Sequence, residues 1–198
     1  MTAIAVLGNG RVGGSLAKGL AEAGHEVTVA DRSPGSAADA SGKAEIVVNA
    51  TPGAGSLERL SALGPQLQGK ILVDVSNATL DGPDGLPAEL LYPGSSLAEQ
   101  LQRALPRTRV VKTLNTMLYT VMTAPTALTQ PPTAFLSGED LEAKKIVRGL
   151  LADLGWHEEW ITDLGGIETA RATEAAILFI PHVIRSSGFA PFAISIAR

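Results

Sequence analysis

Short apolar runs alternate with helix-patterned stretches along this chain. Residues 3–7 (AIAVL) are wholly apolar, the pattern of a strand buried on both faces. Gly8-Asn9-Gly10-Arg11-Val12-Gly13 follows at once, and Leu16, Leu20 and Ala23 then repeat at helical spacing until Gly24 stops the helix. Residues 27–30 predict a second strand, ending at Asp31-Arg32-Ser33. The small residues from Pro34 to Lys43 leave room for only a short crossover. Residues 45–50 predict a third strand ending in Thr51-Pro52-Gly53, and Leu57, Leu60 and Leu63 predict a helix closed by Gly64-Pro65. Residues 70–75 predict a fourth strand ending in Ser76-Asn77-Ala78.

The second half is less regular. Residues 79–94 are rich in Gly, Pro and Asp and predict a long loop inside one fold. Ser96 and Glu99 stand at capping-box spacing ahead of a helix. Residues 109–113 predict a fifth strand, followed by Leu114-Asn115-Thr116. A Thr/Pro-rich loop leads to a sixth strand at 133–137, and a helix from Leu141 to Leu154 is closed by Gly155. Residues 156–162 predict a last strand, 167–185 a long apolar helix, and 191–197 a short extended tail. Alternation of this kind predicts an α/β fold: a Rossmann-type, doubly wound, mostly parallel sheet with helices on both faces and a C-terminal apolar helix. Residues 1–198 are read as a single dinucleotide-binding domain, with 167–198 as its helical extension.

Strand, glycine turn, helix and second strand within the first thirty-three residues is the dinucleotide-binding layout. Gly8 permits the tight turn, Gly10 lets a pyrophosphate approach the backbone, and Gly13 lets the helix pack close to the sheet. The helix start then offers amides and a favourable dipole to the phosphates. In an open parallel sheet, ligands bind beyond the carboxyl ends of the strands. Those ends supply Gly8, Asn9, Gly10, Arg11, Val12, Asp31, Arg32, Ser33, Thr51, Pro52, Ser76, Asn77 and Asn115 as candidate cofactor-binding residues. Asp31 fits the ribose hydroxyls of NAD; Arg32 and Ser33 fit the additional phosphate of NADP. NADP is the preferred reading, provided Asp31 turns away from the phosphate, and NAD is the alternative.

The rim is poor in proton donors. Thr79 and Thr116 add hydroxyls, and the titratable groups nearby are Asp81, Lys112 and Tyr119. No His–Asp pair and no Tyr-x-x-x-Lys stands at these strand ends. Reducing a carbonyl needs a positioned proton donor. The scarcity fits hydride transfer to an acceptor that carries the chemistry itself, as a flavin-like ring does, with no catalytic side chain assigned. A small-molecule imine or carbonyl reductase with Tyr119 or Lys112 as acid is the competing enzyme, and an NADP(H)-sensing module the competing non-enzyme.

Composition narrows the setting. The chain has 198 residues, and 16 basic against 20 acidic side chains give a net charge of −4, so nothing argues for a nucleic-acid partner. It has no cysteine, hence no disulfide, thiolate zinc site or thiol nucleophile, and its three histidines lack metal-ligand spacing. The N-terminus enters a strand without a basic segment and apolar signal core, and no apolar run reaches the ~18 residues of a membrane span. The expected setting is the cytoplasm.

Several segments together resemble one family, the F420-dependent NADP oxidoreductases. They are residues 4–14, VNATPG at 48–53, VDVSNA at 73–78, VVKTLNTM at 110–117, FLSGEDLE at 135–142 and DLGGIETARAT at 163–173, with the tail at 192–198. They cover nearly the whole chain in order. The resemblance implies hydride transfer between NADP(H) and a deazaflavin, coenzyme F420, or a flavin-like co-substrate. It places NADP on Gly8–Val12 and Arg32-Ser33, crossing Thr51-Pro52 toward Ser76-Asn77, with the deazaflavin near Asn77, Asn115 and the C-terminal helix. It also implies a homodimer paired through that helix. Two positions depart from the family's archetypes, which often carry Ser or Asn where Asp31 stands and sometimes His where Asn115 stands.

Overall fold

Five of the apolar runs pair edge to edge in the computed structural model, which describes residues 1–197. In chain order the first half is β1 (Ala3–Leu7), α1 (Arg11–Glu22), β2 (Glu26–Ala30), α2 (Ser36–Lys43), β3 (Ile46–Asn49), α3 (Ser56–Ser61), α4 (Gly64–Leu67) and β4 (Ile71–Asp74). There follow β5 (Thr79–Asp81), β6 (Pro87–Leu90), α5 (Leu97–Ala104), β7 (Arg109–Lys112), α6 (Tyr119–Met122), β8 (Ala134–Leu136), α7 (Leu141–Asp153), β9 (Ile161–Asp163), α8 (Ala170–Ala175) and α9 (Ile180–Ser187). The main sheet has the order β2-β1-β3-β4-β7, and every pair in it is parallel. The chain runs outward in both directions from β1, so the strand order reverses between β1 and β3. A crevice at such a reversal is where this kind of sheet takes its ligand.

Alternate side chains of each central strand feed separate cores. Ile4, Val6, Ile46, Val48, Ile71 and Val73 meet α1 and α7 on one face; Ala5, Leu7, Val47 and Leu72 meet α2, α3, α4 and α5 on the other. Both faces are therefore closed to water, which accounts for the continuous apolar runs. The capping box forms as expected: Ser96 Oγ accepts from the Glu99 amide at 3.1 Å and donates to the Glu99 carboxylate at 3.0 Å.

Five expectations change. The segment 79–94 contains the β5/β6 hairpin rather than a featureless loop; its strands are so short, and so interrupted by Gly and Pro, that periodicity has nothing to register. The sixth strand, β8, stays out of the main sheet: it pairs in parallel with β9 and meets β7 only through an antiparallel bridge between Lys112 and Ser137. The last strand starts at Ile161, because Trp156 is buried with its indole N–H on the Met122 carbonyl at 3.0 Å, and Glu158–Trp160 forms a 3-10 turn. The long C-terminal helix is divided, with 3-10 turns at Ile167–Thr169 and Ala176–Phe179 flanking α8. Pro65, expected to end a helix, instead opens α4. The tail is extended as expected and adds itself to the loop after β7: Leu118 N–H donates to Phe192 O at 2.9 Å and Ile194 N–H to Thr116 O at 3.1 Å.

Candidate functional site

A cleft of about 1500 Å³ opens across the carboxyl ends of the main sheet. Its floor is the turn between β1 and α1. Gly8 has φ +109°, and a Cβ there would lie 2.6 Å from the Ala50 carbonyl oxygen. A Cβ on Gly13 would overlap the Gly8 carbonyl, so this helix approaches the strand as only glycine permits. A Cβ on Gly10 would meet no protein atom within 4 Å and would project into open space instead. Helix α1 has no side-chain cap and no acid in its first turn, which leaves its leading amides for an anion. These features fit a pyrophosphate cradle.

At the end of β2, Asp31 and Arg32 line the cleft and Ser33 does not. The Ser33 amide donates to Asp31 Oδ1 at 2.9 Å, and its hydroxyl bonds the same oxygen. The Ser33 hydroxyl and amide, with Ser36 beyond them, hold the Asp31 carboxyl below its ordinary pKa. Ser33 thus braces Asp31 rather than facing a ligand, and Arg32 stands exposed beside them. Arg59 of α3 also lines the cleft, donating to the Pro52 carbonyl at 2.6 Å and the Ala54 carbonyl at 3.2 Å. Sequence reasoning missed it. Its one signal is a cation within two helical turns of a strand end.

The middle of the rim is a hydrogen-bonded lattice. Asn49, buried at the end of β3, donates to Asp74 Oδ1 at 2.8 Å and accepts from the Thr51 hydroxyl at 2.7 Å. Gly53 lies so close to Asn77 that a Cβ would overlap the Asn77 carbonyl. Asn77 and Asn115 exchange hydrogen bonds, Asn77 Nδ2 to Asn115 O at 2.8 Å and Asn115 Nδ2 to Asn77 Oδ1 at 2.9 Å. The chain reaches this pairing through Leu114 at φ +59°, a left-handed conformation that costs a non-glycine residue about 1–2 kcal/mol. Thr51, Pro52, Ser76, Asn77 and Asn115 all line the cleft; Thr79, Asp81 and Thr116 do not.

The two side chains weighed as acids part company. Lys112 is 1% exposed and does not line the cleft. Burial works against its charge, but the carboxylates of Asp74 and Glu174 outweigh burial and raise its pKa above the ordinary lysine value. It stays protonated and out of reach, which removes it as a proton donor. Tyr119 does line the cleft, with the Arg11 guanidinium 5.7 Å from its ring centroid. Among the described residues, the cleft's other titratable side chains are Arg11, Asp31, Arg32 and Arg59. Beyond Asn115 the wall turns apolar, with Met117, Met122, Ile177, Phe189 and Phe192. Of these only the general vicinity, the C-terminal segment, was legible beforehand. Among the described residues no group of His, Cys or acidic side chains is disposed to hold a metal ion, and no helix is long and apolar enough to cross a membrane.

Sheet order, glycine turn and cleft together define a Rossmann-type dinucleotide-binding protein. Residues 3–53 match the model of the family described as NADP oxidoreductase, coenzyme F420-dependent. A solved structure from Arthrobacter sp. FB24, provisionally named an F420-dependent NADP-reductase, is 39% identical, superposes with a TM-score of 0.91, and each chain is covered in full. The F420-dependent NADP reductase of Methanocaldococcus jannaschii is 28% identical over 140 residues, 69% of this chain. That match spans 60% of the relative's own length. The imine reductase of Streptomyces aurantiacus shares the fold alone, at 16% identity and TM-score 0.61 over 92% of this chain and 61% of the other. The chain belongs to the F420-dependent NADP oxidoreductase family.

Proposed function

We propose that this protein transfers hydride between NADPH and a deazaflavin, coenzyme F420, or a flavin-like acceptor. The observation that carries the reading is the gradient along the cleft. A glycine cradle and exposed arginines lie at one end and apolar and aromatic side chains at the other, where, among the described residues, the phenol of Tyr119 is the one candidate acid, with the Arg11 guanidinium 5.7 Å from its ring centroid. When bound, the nicotinamide and the acceptor ring supply the redox chemistry themselves.

The chain's part is binding and alignment. Gly8, Asn9, Gly10, Arg11 and Val12 hold the pyrophosphate. Arg32 takes the 2′-phosphate of NADP, with Asp31 held by Ser33 and Ser36 in its own turn, and NAD is the weaker dinucleotide; Arg59 closes the same end. Thr51 and Pro52 carry the molecule across the sheet reversal to Ser76, Asn77 and Asn115, which orient the nicotinamide face. Phe189, Phe192, Ile177 and Met117 exclude water from the acceptor's side. In this reading residues 1–198 act as one dinucleotide-binding domain with 167–198 as its extension. The protein works in the cytoplasm as a homodimer paired through its C-terminal helix, where Phe179 and Val183 are exposed at 71% and 41%.

The deciding experiment mixes purified protein with NADPH and, separately, F420, FMN and ferric chelates, and follows NADPH absorbance. Oxidation with F420 or FMN is expected. Oxidation with imines or ketones alone would shift the assignment to Tyr119-assisted reduction, and tight NADPH binding with no acceptor at all to a sensor.

A further inference from the structure

Two walls of the cleft come from distant parts of the sequence. One is the rim after β4 and β7, where Asn77 and Asn115 are paired. The other is the C-terminal segment, whose Ile177 lines the cleft just beyond α8. Between them sits a charge cluster to which the proposed function gives no task. Lys112, at the end of β7, has three ammonium N–H groups and three acceptors: Asp74 Oδ2 at 2.8 Å, Glu174 Oε1 at 2.9 Å and the Ser76 carbonyl. The side chains of Lys112, Asp74 and Glu174 are exposed by 1%, 0% and 5%. Glu174 belongs to α8 and also accepts from the amides of Leu97 at 2.9 Å and Ala98 at 3.2 Å, at the start of α5. Asp74 Oδ1 accepts from Asn49 Nδ2 at 2.8 Å and from the Ser76 hydroxyl at 2.7 Å.

One cation and two carboxylates are thus withdrawn from water. Such a cluster is a weak source of net stability, because desolvation offsets attraction and a well-packed apolar trio often folds as well or better. It does fix three acceptors around one nitrogen. Here those acceptors are the end of β4, the carbonyl immediately before Asn77, and α8.

We propose that Lys112 is a positioning residue for hydride transfer: it ties Glu174 of α8 to the Ser76 carbonyl, so that the wall bearing Asn77 and the wall bearing Ile177 keep one fixed spacing. This rests on the reading that the cleft aligns two rings. A misplacement of about 1 Å can cost on the order of a hundredfold in rate. The cluster touches neither the glycine turn nor Arg32, which carry the phosphate contacts; it meets the dinucleotide's site at Ser76, on the nicotinamide side, so it acts on orientation more than on affinity.

The test compares Glu174→Gln with Arg171→Ala. Glutamine keeps the shape of Glu174 but has one acceptor oxygen and no charge: with that oxygen on Lys112 and Ala98 its Nε2 opposes the Leu97 amide, and with it on Leu97 its Nε2 opposes the Lys112 ammonium. Arg171→Ala loosens the same helix, by removing its paired hydrogen bonds to Glu99 at 2.8 and 2.6 Å, without touching Lys112. Glu174→Gln is expected to lower kcat with F420 or FMN by about 30- to 100-fold while the NADPH Kd stays within about threefold; Arg171→Ala lowers Tm and leaves kcat within about threefold. An unchanged kcat in Glu174→Gln, or equal losses in the two variants, would overturn the proposal. NADPH binding reports that each variant has folded. Should Glu174→Gln not fold, the triple variant Asp74→Asn/Lys112→Met/Glu174→Leu replaces all three ions by neutral side chains of similar volume, keeps an Oδ1 acceptor for Asn49 and Ser76, and is read in the same way. If the wild-type protein oxidises NADPH with neither acceptor, it is the proposed function that fails. The nicotinamide fluorescence of bound NADPH then decides the coupling: a change in Glu174→Gln but not in Arg171→Ala supports it, and no change in either sinks it.

Discussion

At the glycine-turn end of the cleft, residues 8–12, 31–32 and 51–53 each stand at the end of a strand held in register by its neighbours. At the apolar end, Met117, Ile177, Phe189 and Phe192 come from a loop, a 3-10 turn and an extended tail, brought together by a few backbone bonds such as Leu118 N–H to Phe192 O. The first end inherits the rigidity of the sheet. The second is assembled from long-range contacts on the surface of the fold. In the proposed reading the fixed half takes the dinucleotide and the assembled half the acceptor, a division that suits both, because loops vary while a sheet keeps its geometry.

The sharpest way to break the comparison is at the rigid end. In Gly10→Val the new side chain would fill the open space over the cradle without meeting protein. NADPH binding should disappear while circular dichroism and Tm stay close to wild type. A normal NADPH titration of a folded Gly10→Val protein would remove the pyrophosphate assignment. Next in size is Arg32→Ala, which should weaken NADPH by roughly 2–3 kcal/mol, the scale of a charged hydrogen bond and its unpaired remainder. NADH binding should barely change, since Asp31 is kept. Equal losses for both dinucleotides would make Arg32 structural, and tighter wild-type binding of NADH would hand this end to Asp31.

Effects at the assembled end should be smaller and should fall on the acceptor. Phe192→Ala is expected to raise acceptor KM by about tenfold, in line with one lost aromatic contact, with NADPH affinity intact. Tyr119→Phe should cost about tenfold or less in turnover, below the 10²–10⁴ of a lost general acid. A thousandfold loss in Tyr119→Phe with NADPH bound normally would overturn deazaflavin transfer and favour imine or carbonyl reduction.

What could be read beforehand follows the same division. The strands, the glycine turn and the residues at strand ends are contiguous in sequence, and continuous apolar runs with two buried faces announce themselves. Arg59 was invisible because it reaches the cleft sideways from α3 to cap the Pro52 carbonyl. Phe189 and Phe192 were invisible because their place depends on the tail pairing with residues 116–118. Lys112 looked like a rim residue from its position one step inside a strand end. Its side chain instead turns beneath the rim, into carboxylates supplied from positions 74 and 174. Local pattern reports the sheet, and only the folded chain reports which distant carboxylates meet one lysine.

The smallest expected effect concerns acid, and it separates the two halves by what fastens them. Arg171's hydrogen bonds hold the Glu99 carboxyl below its ordinary pKa against the opposing effect of burial, and this pair docks α8 on α5. Burial likewise opposes ionisation of Asp163, but Lys144 and the Gly165 amide outweigh it, so that carboxyl is also lowered, and the pair docks β9 on α7. A carboxyl whose folded pKa is depressed adds stability that is present above its unfolded value and lost as pH falls through the folded one. The unfolded values are 4.5 for glutamate and 3.8 for aspartate, so stability should decline below about pH 4.5. Among the described residues the glycine-turn half shows no such fastening: its depressed carboxyl, Asp31, is exposed and bonded within its own turn. Acid should therefore loosen the C-terminal half first. The buried Trp156 reports this through its fluorescence, read as a function of pH. In Arg171→Ala, stability at pH 7 should drop only slightly, since the arginine is half exposed and its pairing is screened by water, and the slope below pH 4.5 should flatten. An unaltered slope in Arg171→Ala would show that the acid sensitivity lies elsewhere.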